Sequence, residues 1–131
     1  MKTPNTRKLY SSGAEWEDIA GYSRGVRIGN QIEIAGTTAI IDGTLIGKSD
    51  IYLQTKTIFS IIKEAIEGLG GTIEQTVRTR MFVTDISQWE LVAKAHGEVF
   101  SEIKPASTMV EISGLIDPEM LIEIEATVIL E

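Results

Sequence analysis

The feature that most constrains the fold is a change in the period of the hydrophobic residues along the chain. Between residues 50 and 70 the apolar side chains recur every three or four positions, which is typical of one face of an amphipathic helix. Ser49 or Asp50 is placed to cap the start of this helix, and Gly70 to end it. Over residues 77–85 the apolar side chains alternate instead, which predicts a strand. The chain therefore contains both helices and strands.

Shorter signals of the same two kinds complete the pattern. Alternating residues on both sides of Gly29-Asn30 predict a hairpin, and residues 37–41 are expected to extend its second strand. The tight-turn pair Asp42-Gly43 then leads to a returning strand at residues 44–46.

A second helix and two further strands follow. Ser87 is expected to cap the second helix and Pro105 to end it. Strands are predicted at residues 108–112 and 121–130. The apolar stripe of the helix is expected to consist of Trp89, Val92, Ala93, His96, Phe100 and Ile103.

This order of elements predicts an α+β domain with one mixed β-sheet and two helices on one face. Residues 1–20 are interpreted as an N-terminal arm and residues 21–131 as a single domain. The second face of the sheet is too apolar for plain exposure and too charged for a sealed monomer core, so it predicts contact with another copy of the chain. This face is expected to carry Arg78, Arg80, Phe82, Leu121, Glu123, Glu125 and Ile129.

Composition narrows the possible functions. The 131 residues include no cysteine and one histidine, which excludes disulfides, thiol catalysis and two-histidine metal sites. A net charge of −7 gives no general attraction for nucleic acid. No apolar run reaches the ~18 residues of a membrane helix. The first ten residues are polar and do not resemble a secretory leader, so a cytoplasmic protein is expected.

Carboxylates are the first candidates for chemistry. Glu123 and Glu125 are two residues apart on one predicted strand and share a face, so they could provide acid–base chemistry. The competing interpretation, which we favour from spacing alone, is that they pair with Arg78 and Arg80 across the sheet.

The remaining polar candidates are weaker. His96 falls on the apolar stripe of the second helix, where a hydrogen-bonded core histidine is more common than a catalytic one. Ser107-Thr108 lies before a strand and could bind an anion or simply cap the backbone. The loop around Tyr22 and Arg24 could contact a ligand or form an ordinary surface turn.

An ordered set of short motifs resembles the RidA/YjgF family, the reactive imine/enamine deaminases also named endoribonuclease L-PSP or translation inhibitor. No single motif is specific, but their order along the chain is. The matching residues are Gly21-Tyr22-Ser23, Val26, Gly29-Asn30, 32–36, Gln54-Thr55, Gly70, 77–85, Phe100, Lys104-Pro105-Ala106, 110–112 and 122–126.

The resemblance implies a chorismate-mutase-like fold and a homotrimer whose sheets form a central barrel, with ligand sites in the clefts between subunits. It also implies a small-molecule substrate and no cofactor. Typical members hydrolyse imines derived from enamines such as 2-aminoacrylate, and release ammonia and a keto acid. In these members an arginine holds the substrate carboxylate and a glutamate orients the water.

This chain keeps part of that pattern. The glutamate corresponds to Glu123 and the pocket tyrosine to Tyr22, whereas the arginine position is Ser107. No arginine follows Arg80, so a shift of register cannot supply one. The usual cysteine, serine and asparagine correspond to Met109, Ala35 and Ala93. The chain thus resembles an arginine-lacking branch, which weakens the expectation of efficient 2-aminoacrylate hydrolysis.

The favoured function is a hydrolase of the deaminase type that acts on an imine-, enamine- or amide-like metabolite. Glu123 would position the water, and Arg80 would replace the missing cation or hold Glu123 ionised, unless Arg80 forms a structural salt bridge instead. The substrate-binding residues are expected to be Tyr22, Arg24, Ala35, Gly36, Ser107, Thr108 and Met109. A non-catalytic ligand-binding trimer is the alternative, and a ribonuclease ranks third because of the charge.

Overall fold

Six strands form one mixed sheet in the structure, a computed structural model that describes residues 7–131. Along the sheet the strands run in the order β1-β2-β3-β8-β6-β7, and only β6 and β7 are parallel. A separate two-stranded hairpin joins β4 to β5. The strands are β1 (Lys8–Tyr10), β2 (Gly25–Ile28), β3 (Gln31–Thr37), β4 (Ile40–Ile41), β5 (Thr44–Leu45), β6 (Thr76–Val83), β7 (Ala106–Glu111) and β8 (Ile122–Ile129).

The helices are α1 (Glu15–Ala20), α2 (Ile51–Gly68) and α3 (Trp89–Phe100), with 3₁₀ turns at Ile73–Gln75 and Ile86–Gln88. The long helices α2 and α3 pack together on one face of the sheet, as predicted. The inward residues of β3, β6 and β8 meet the apolar faces of these helices in one core. The α+β class and the mixed sheet are therefore confirmed.

The start and end of α2 follow the sequence signals. The side chain of Asp50 caps the helix by accepting a hydrogen bond from the Leu53 backbone N–H at 3.0 Å. Gly70 takes a left-handed conformation with φ 88° just beyond the last turn, which a residue with a β-carbon adopts less easily. Asp50, and not Ser49, is thus the cap.

The predicted cap of the second helix is wrong, and its predicted apolar stripe is only partly right. The carboxylate of Asp85, not Ser87, caps this region, because it accepts a hydrogen bond from the Ser87 N–H at 3.0 Å and begins a 3₁₀ turn. Val92 and Phe100 of the predicted stripe are buried, and Ile103 packs against the core. Trp89 is 51% exposed and Ala93 is also exposed. The buried residues of α3 are Val92, Ala95 and Phe100.

The β2–β3 hairpin is confirmed, but residues 37–41 do not extend β3. The pairing of β3 with β8 shifts register between Ile34 and Thr37, and the chain then leaves the sheet. Residues 40–45 form the separate hairpin, whose turn has positive φ angles at Asp42 and Gly43.

The alternation in β8 is confirmed, since its even-numbered residues are buried and its odd-numbered residues are half-buried on the other face. In β6 a register shift after Thr76 leaves Val77 44% exposed, although Val77 belongs to the alternating apolar residues that predicted the strand. Leu121 also differs from the prediction, because it packs against the core and not on the second face.

The N-terminal segment contributes to the sheet. Strand β1 pairs with β2, and Tyr10 packs against the core. The predictions of an arm and of no secretory leader also cover residues 1–6, which lie outside the described residues. Among residues 7–131, no helix is both long and apolar enough to span a bilayer.

Candidate functional site

Glu123 lies on the face of the sheet that the long helices leave uncovered. Its position in β8 places it opposite Phe82 of β6, and its side chain is half-buried. On the other side of β8, the side chain reaches the backbone of β3. A β-carbon built on Gly36 would stand 2.8 Å from Cδ of Glu123 and 3.0 Å from its Oε1. The carboxyl group therefore occupies the space that a larger residue at position 36 would need.

Burial raises the pKa of Glu123 above its ordinary value of 4.5. The positive charge of Arg24 opposes this shift, and the negative charge of Glu125 adds to it. A carboxyl group with a raised pKa is a better proton acceptor when ionised, which suits acid–base chemistry. Glu123 is thus held in a restricted position and binds a proton more tightly than a free glutamate.

Arg24 is the cation whose charge acts on Glu123, and it is only 8% exposed. Its Nη1 donates hydrogen bonds to the Gly36 carbonyl at 2.6 Å and to Thr37 Oγ1 at 3.3 Å. Its guanidinium also lies 5.6 Å from the centre of the Tyr22 ring. Tyr22, Arg24, Gly36 and Glu123, predicted separately as site residues, are thus linked in one region, and Ala35 lies beside Gly36 in β3.

Glu17 is a partner of this region that the sequence analysis missed. It is 3% exposed, and its Oε2 lies 3.7 Å from Nη2 of Arg24. Burial alone would raise the pKa of Glu17, but hydrogen bonds from Ser12 and Ser11 and the charge of Arg24 lower it overall. The available sequence signal was the pair Ser11-Ser12 shortly before the acidic first turn of α1, since both hydroxyl groups donate to Glu17.

Arg80 and Arg78 use their side chains elsewhere on the same face. Arg80 lies opposite Glu125, and its Nη1 is 3.9 Å from Glu125 Oε1. Arg78 donates a hydrogen bond from Nη2 to Thr108 Oγ1 at 2.6 Å. The predicted cross-strand pairing is thus found for Arg80 and Glu125. Arg80 was expected to act on Glu123. Glu123 instead lies opposite Phe82, and the carboxylate next to Arg80 is that of Glu125.

Ser107 and Met109 lie on strand β7, at one edge of the sheet. Ser107 Oγ lies 2.8 Å from Thr79 Oγ1, and Thr79 is fully buried on the helix side of β6. Ser107 therefore faces the helix side, with Met109 two residues on, whereas Glu123 faces the other side. Within one protomer, the predicted site residues form two groups separated by strand β6.

His96 is half-buried between two phenylalanine rings. Its ring centroid lies 5.6 Å from that of Phe59 and 4.7 Å from that of Phe100. Its Nε2 is 2.9 Å from Thr79 Oγ1. Burial lowers the pKa of His96 below its ordinary value of 6.5. The interpretation of His96 as a hydrogen-bonded residue of the interior is confirmed.

Neither of two shallow surface depressions is lined by Glu123 or Ser107. One lies beside Val26 and Ile28, and the other surrounds Tyr22 and Glu17. Within residues 7–131, no group of three or more histidine, aspartate or glutamate side chains is arranged to hold a metal ion.

Comparison with known proteins identifies one matching family model and several similar sequences. The family model described as Endoribonuclease L-PSP matches residues 12–130. An uncharacterized protein of Streptomyces coelicolor is 37% identical over 123 residues, which cover 94% of this chain and 92% of that protein. A RutC family protein of Pyrococcus abyssi is 35% identical and covers 82% of this chain and 85% of its own length.

Solved structures agree with these sequences. A Mycobacterium tuberculosis protein, described as a member of the highly conserved YjgF/YER057c/UK114 family, has a TM-score of 0.87 and 43% identity, covering 95% of this chain and 99% of that chain. The YjgF gene product of E. coli has a TM-score of 0.82 and 26% identity, and the match covers 95% of this chain and 98% of that chain.

Proposed function

This chain belongs to the RidA/YjgF family, and on that premise we propose that it is a cofactor-independent hydrolase of the deaminase type. Its substrate would be a small imine-, enamine- or amide-like metabolite. The observation that carries the proposal is the half-buried carboxyl group of Glu123, held against Gly36 with its pKa raised by burial.

In the proposed reaction, ionised Glu123 orients a water molecule and accepts one of its protons while the oxygen attacks the carbon of a protonated imine. The product is a carbinolamine. Glu123 then returns the proton to the amine nitrogen, the carbon–nitrogen bond breaks and ammonia leaves. As the carbonyl forms, the hydroxyl group of the carbinolamine gives its proton to the ionised Glu123, which releases it to solvent. The same carboxyl group serves as base and then as acid, which a raised pKa favours.

The two groups of site residues would meet in a homotrimer. The uncovered face of the sheet carries half-buried Phe82 and Ile129 beside charged side chains, and Val110 is 42% exposed. Such a face is suited to contact with a second copy. In that assembly Ser107, Thr108 and Met109 of one subunit would complete the cleft that contains Glu123 and Tyr22 of the next.

Recognition of the substrate would differ from that in arginine-containing members. Ser107 cannot supply a guanidinium, and Arg24 already donates to Gly36 and Thr37 and lies beside Glu17. Backbone amides near Gly36 and Ser107 would therefore hold the oxygens of the substrate. We expect weak binding of acidic imines and better binding of substrates without a free carboxylate.

A non-catalytic ligand-binding trimer is the second candidate. The internal use of Arg24 and the serine at position 107 favour it, because together they remove the usual clamp for a substrate carboxylate. A ribonuclease activity ranks lower, since the net charge is −7.

The test is ammonia and keto-acid release from imines that an amino-acid oxidase generates in the assay, with acidic and neutral amino acids compared. Release faster than the spontaneous rate supports the hydrolase. No acceleration with any amino acid, combined with saturable binding of a substrate analogue, supports the ligand-binding alternative. Light scattering of the purified protein tests the trimer separately.

A further inference from the structure

A continuous chain of hydrogen bonds joins an exposed serine to the single histidine of the sequence. Ser107 Oγ is 2.8 Å from Thr79 Oγ1, which is 2.9 Å from His96 Nε2. Both distances lie within the range that links nucleophiles to their bases in enzymes. At the outer end, the Ser107 residue is exposed, so small molecules can reach this position in the protomer.

The middle member of the chain is protected from solvent. Thr79 is 0% exposed, because it lies on the core face of β6. The parallel pairing of β6 with β7 places Ser107 directly beside it. In the structure Thr79 Oγ1 donates its hydrogen bond to Ser107 Oγ, so the transfer requires both hydroxyl groups to rotate. After this rotation Thr79 accepts the Ser107 proton and donates its own proton to His96 Nε2.

The inner end of the chain is suited to accept a proton. His96 packs against the rings of Phe59 and Phe100, which restrict its orientation. Burial lowers the pKa of His96, so the ring is neutral near pH 7 and Nε2 can act as an acceptor in the tautomer that carries its hydrogen on Nδ1.

We propose that Ser107 is a nucleophile that His96 activates through Thr79, and that it accepts acyl groups from small activated esters. Thr79 and His96 are then positioning and proton-transfer residues, and only Ser107 touches the substrate. The inference does not rest on the proposed imine hydrolysis, because Glu123 takes no part in the acylation.

In the acylation step, Ser107 Oγ forms a bond to the carbonyl carbon of the ester. The Ser107 proton moves to Thr79 Oγ1 as the Thr79 proton moves to His96 Nε2. The bond from the carbonyl carbon to the leaving oxygen breaks, and that oxygen takes up a proton returned along the same chain. Water then attacks the acyl group, gives one proton to the chain and one oxygen to the carboxylic acid, and restores the Ser107 hydroxyl.

The test uses 4-nitrophenyl acetate with the full-length protein. We expect a burst of 4-nitrophenol and an acetyl group on the peptide that contains Ser107. Ser107→Ala should remove both, whereas Ser113→Ala, which changes an exposed serine just beyond β7, should change neither.

Two substitutions at position 79 separate proton transfer from packing. Thr79→Val keeps the shape but removes the hydroxyl, and should slow acetylation at least tenfold. Thr79→Ser keeps the hydroxyl and should retain most of the rate. His96→Phe should behave like Thr79→Val, and melting curves for each variant must show a folded protein.

Three results would overturn the proposal. The first is acetylation of Ser107 no faster than that of a short peptide containing the same serine. The second is an acetyl group on another residue with Ser107 unmodified. The third is a folded Thr79→Val variant that reacts at the wild-type rate.

Discussion

The carboxyl group of Glu123 lies so close to the Cα of Gly36 that a β-carbon at position 36 would be 2.8 Å from its Cδ. This contact joins strands β3 and β8 at the centre of the candidate site. A β-carbon at position 36 would displace only the flexible end of the Glu123 side chain and not the backbone. A substitution there can therefore change the catalytic rate without a similar change in stability.

Gly36→Ala should therefore reduce hydrolysis far more than stability. The added methyl group displaces the Glu123 carboxyl group, and a small displacement of a catalytic group can lower the rate by about 100-fold. Turnover and urea unfolding of the same preparation check this. Gly97→Ala is the matched control: a β-carbon at this position in α3 meets nothing within 4 Å, and it should raise stability by about 0.5–1 kcal/mol without changing turnover. Equal activity in the two variants would contradict the assigned role of Glu123.

Arg24→Met should destabilise the fold and raise the pKa of Glu123 further. The substitution leaves Glu17 buried without its cationic neighbour, which costs about 3 kcal/mol in comparable buried pairs. It also removes the positive charge that lowers the pKa of Glu123. The acidic limb of the pH–rate profile should move to higher pH. Arg24→Lys keeps the charge and should leave this limb nearly in place, while a similar shift in both variants would exclude the electrostatic explanation.

Glu123→Gln should make the folded protein more stable at neutral pH. Because burial raises the pKa of Glu123 in the folded state, the folded protein binds the proton more tightly than the unfolded chain. Stability is therefore lost as the pH rises from the ordinary pKa of 4.5 through the higher folded value. Glutamine does not ionise and avoids this loss. Urea unfolding between about pH 4 and pH 8 should show a difference that grows with pH and disappears at the acidic end; a constant difference would indicate a packing effect instead.

Arg80→Met tests whether this arginine replaces the missing cation. Its ion pair with Glu125 is 3.9 Å long, and both side chains are about 40% exposed, so the loss should cost less than about 1 kcal/mol. We expect ligand binding and turnover close to wild type. A large loss of binding, with stability unchanged, would instead assign Arg80 to the substrate. Calorimetric titration with a substrate analogue distinguishes these results.

Much of the fold could be predicted because local signals agreed with the final packing. Helix α2 carries an apolar period, a cap at Asp50 and a stop at Gly70, and the sheet pairing did not override them. The stripe of α3 was only partly right, because Val92 and Phe100 are buried whereas Trp89 and Ala93 are exposed. A 3₁₀ turn at Ile86–Gln88 precedes the helix, and Asp85 holds it by accepting hydrogen bonds from the backbone N–H and the hydroxyl of Ser87, which periodicity does not detect.

The candidate site was predicted only in part, for a related reason. The motifs indicated Glu123 and Gly36, which lie in strands, and Tyr22, which lies in the loop before β2. The link from Ser107 to His96 depends on the parallel register of β6 and β7, which places Thr79 beside a residue 28 positions away. Register between distant strands is a tertiary property, so the histidine could be placed on a helix but not next to the serine.

The central claim is that Glu123 transfers protons during hydrolysis, and the most direct measurement is kcat/KM for Glu123→Gln in the ammonia-release assay. Glutamine keeps the size of the side chain and its contact with Gly36 but cannot accept the proton from water. The account predicts a fall of about 100-fold or more in kcat/KM, with a folded protein of the same oligomeric state. A Glu123→Gln variant that releases ammonia at the wild-type rate would contradict it.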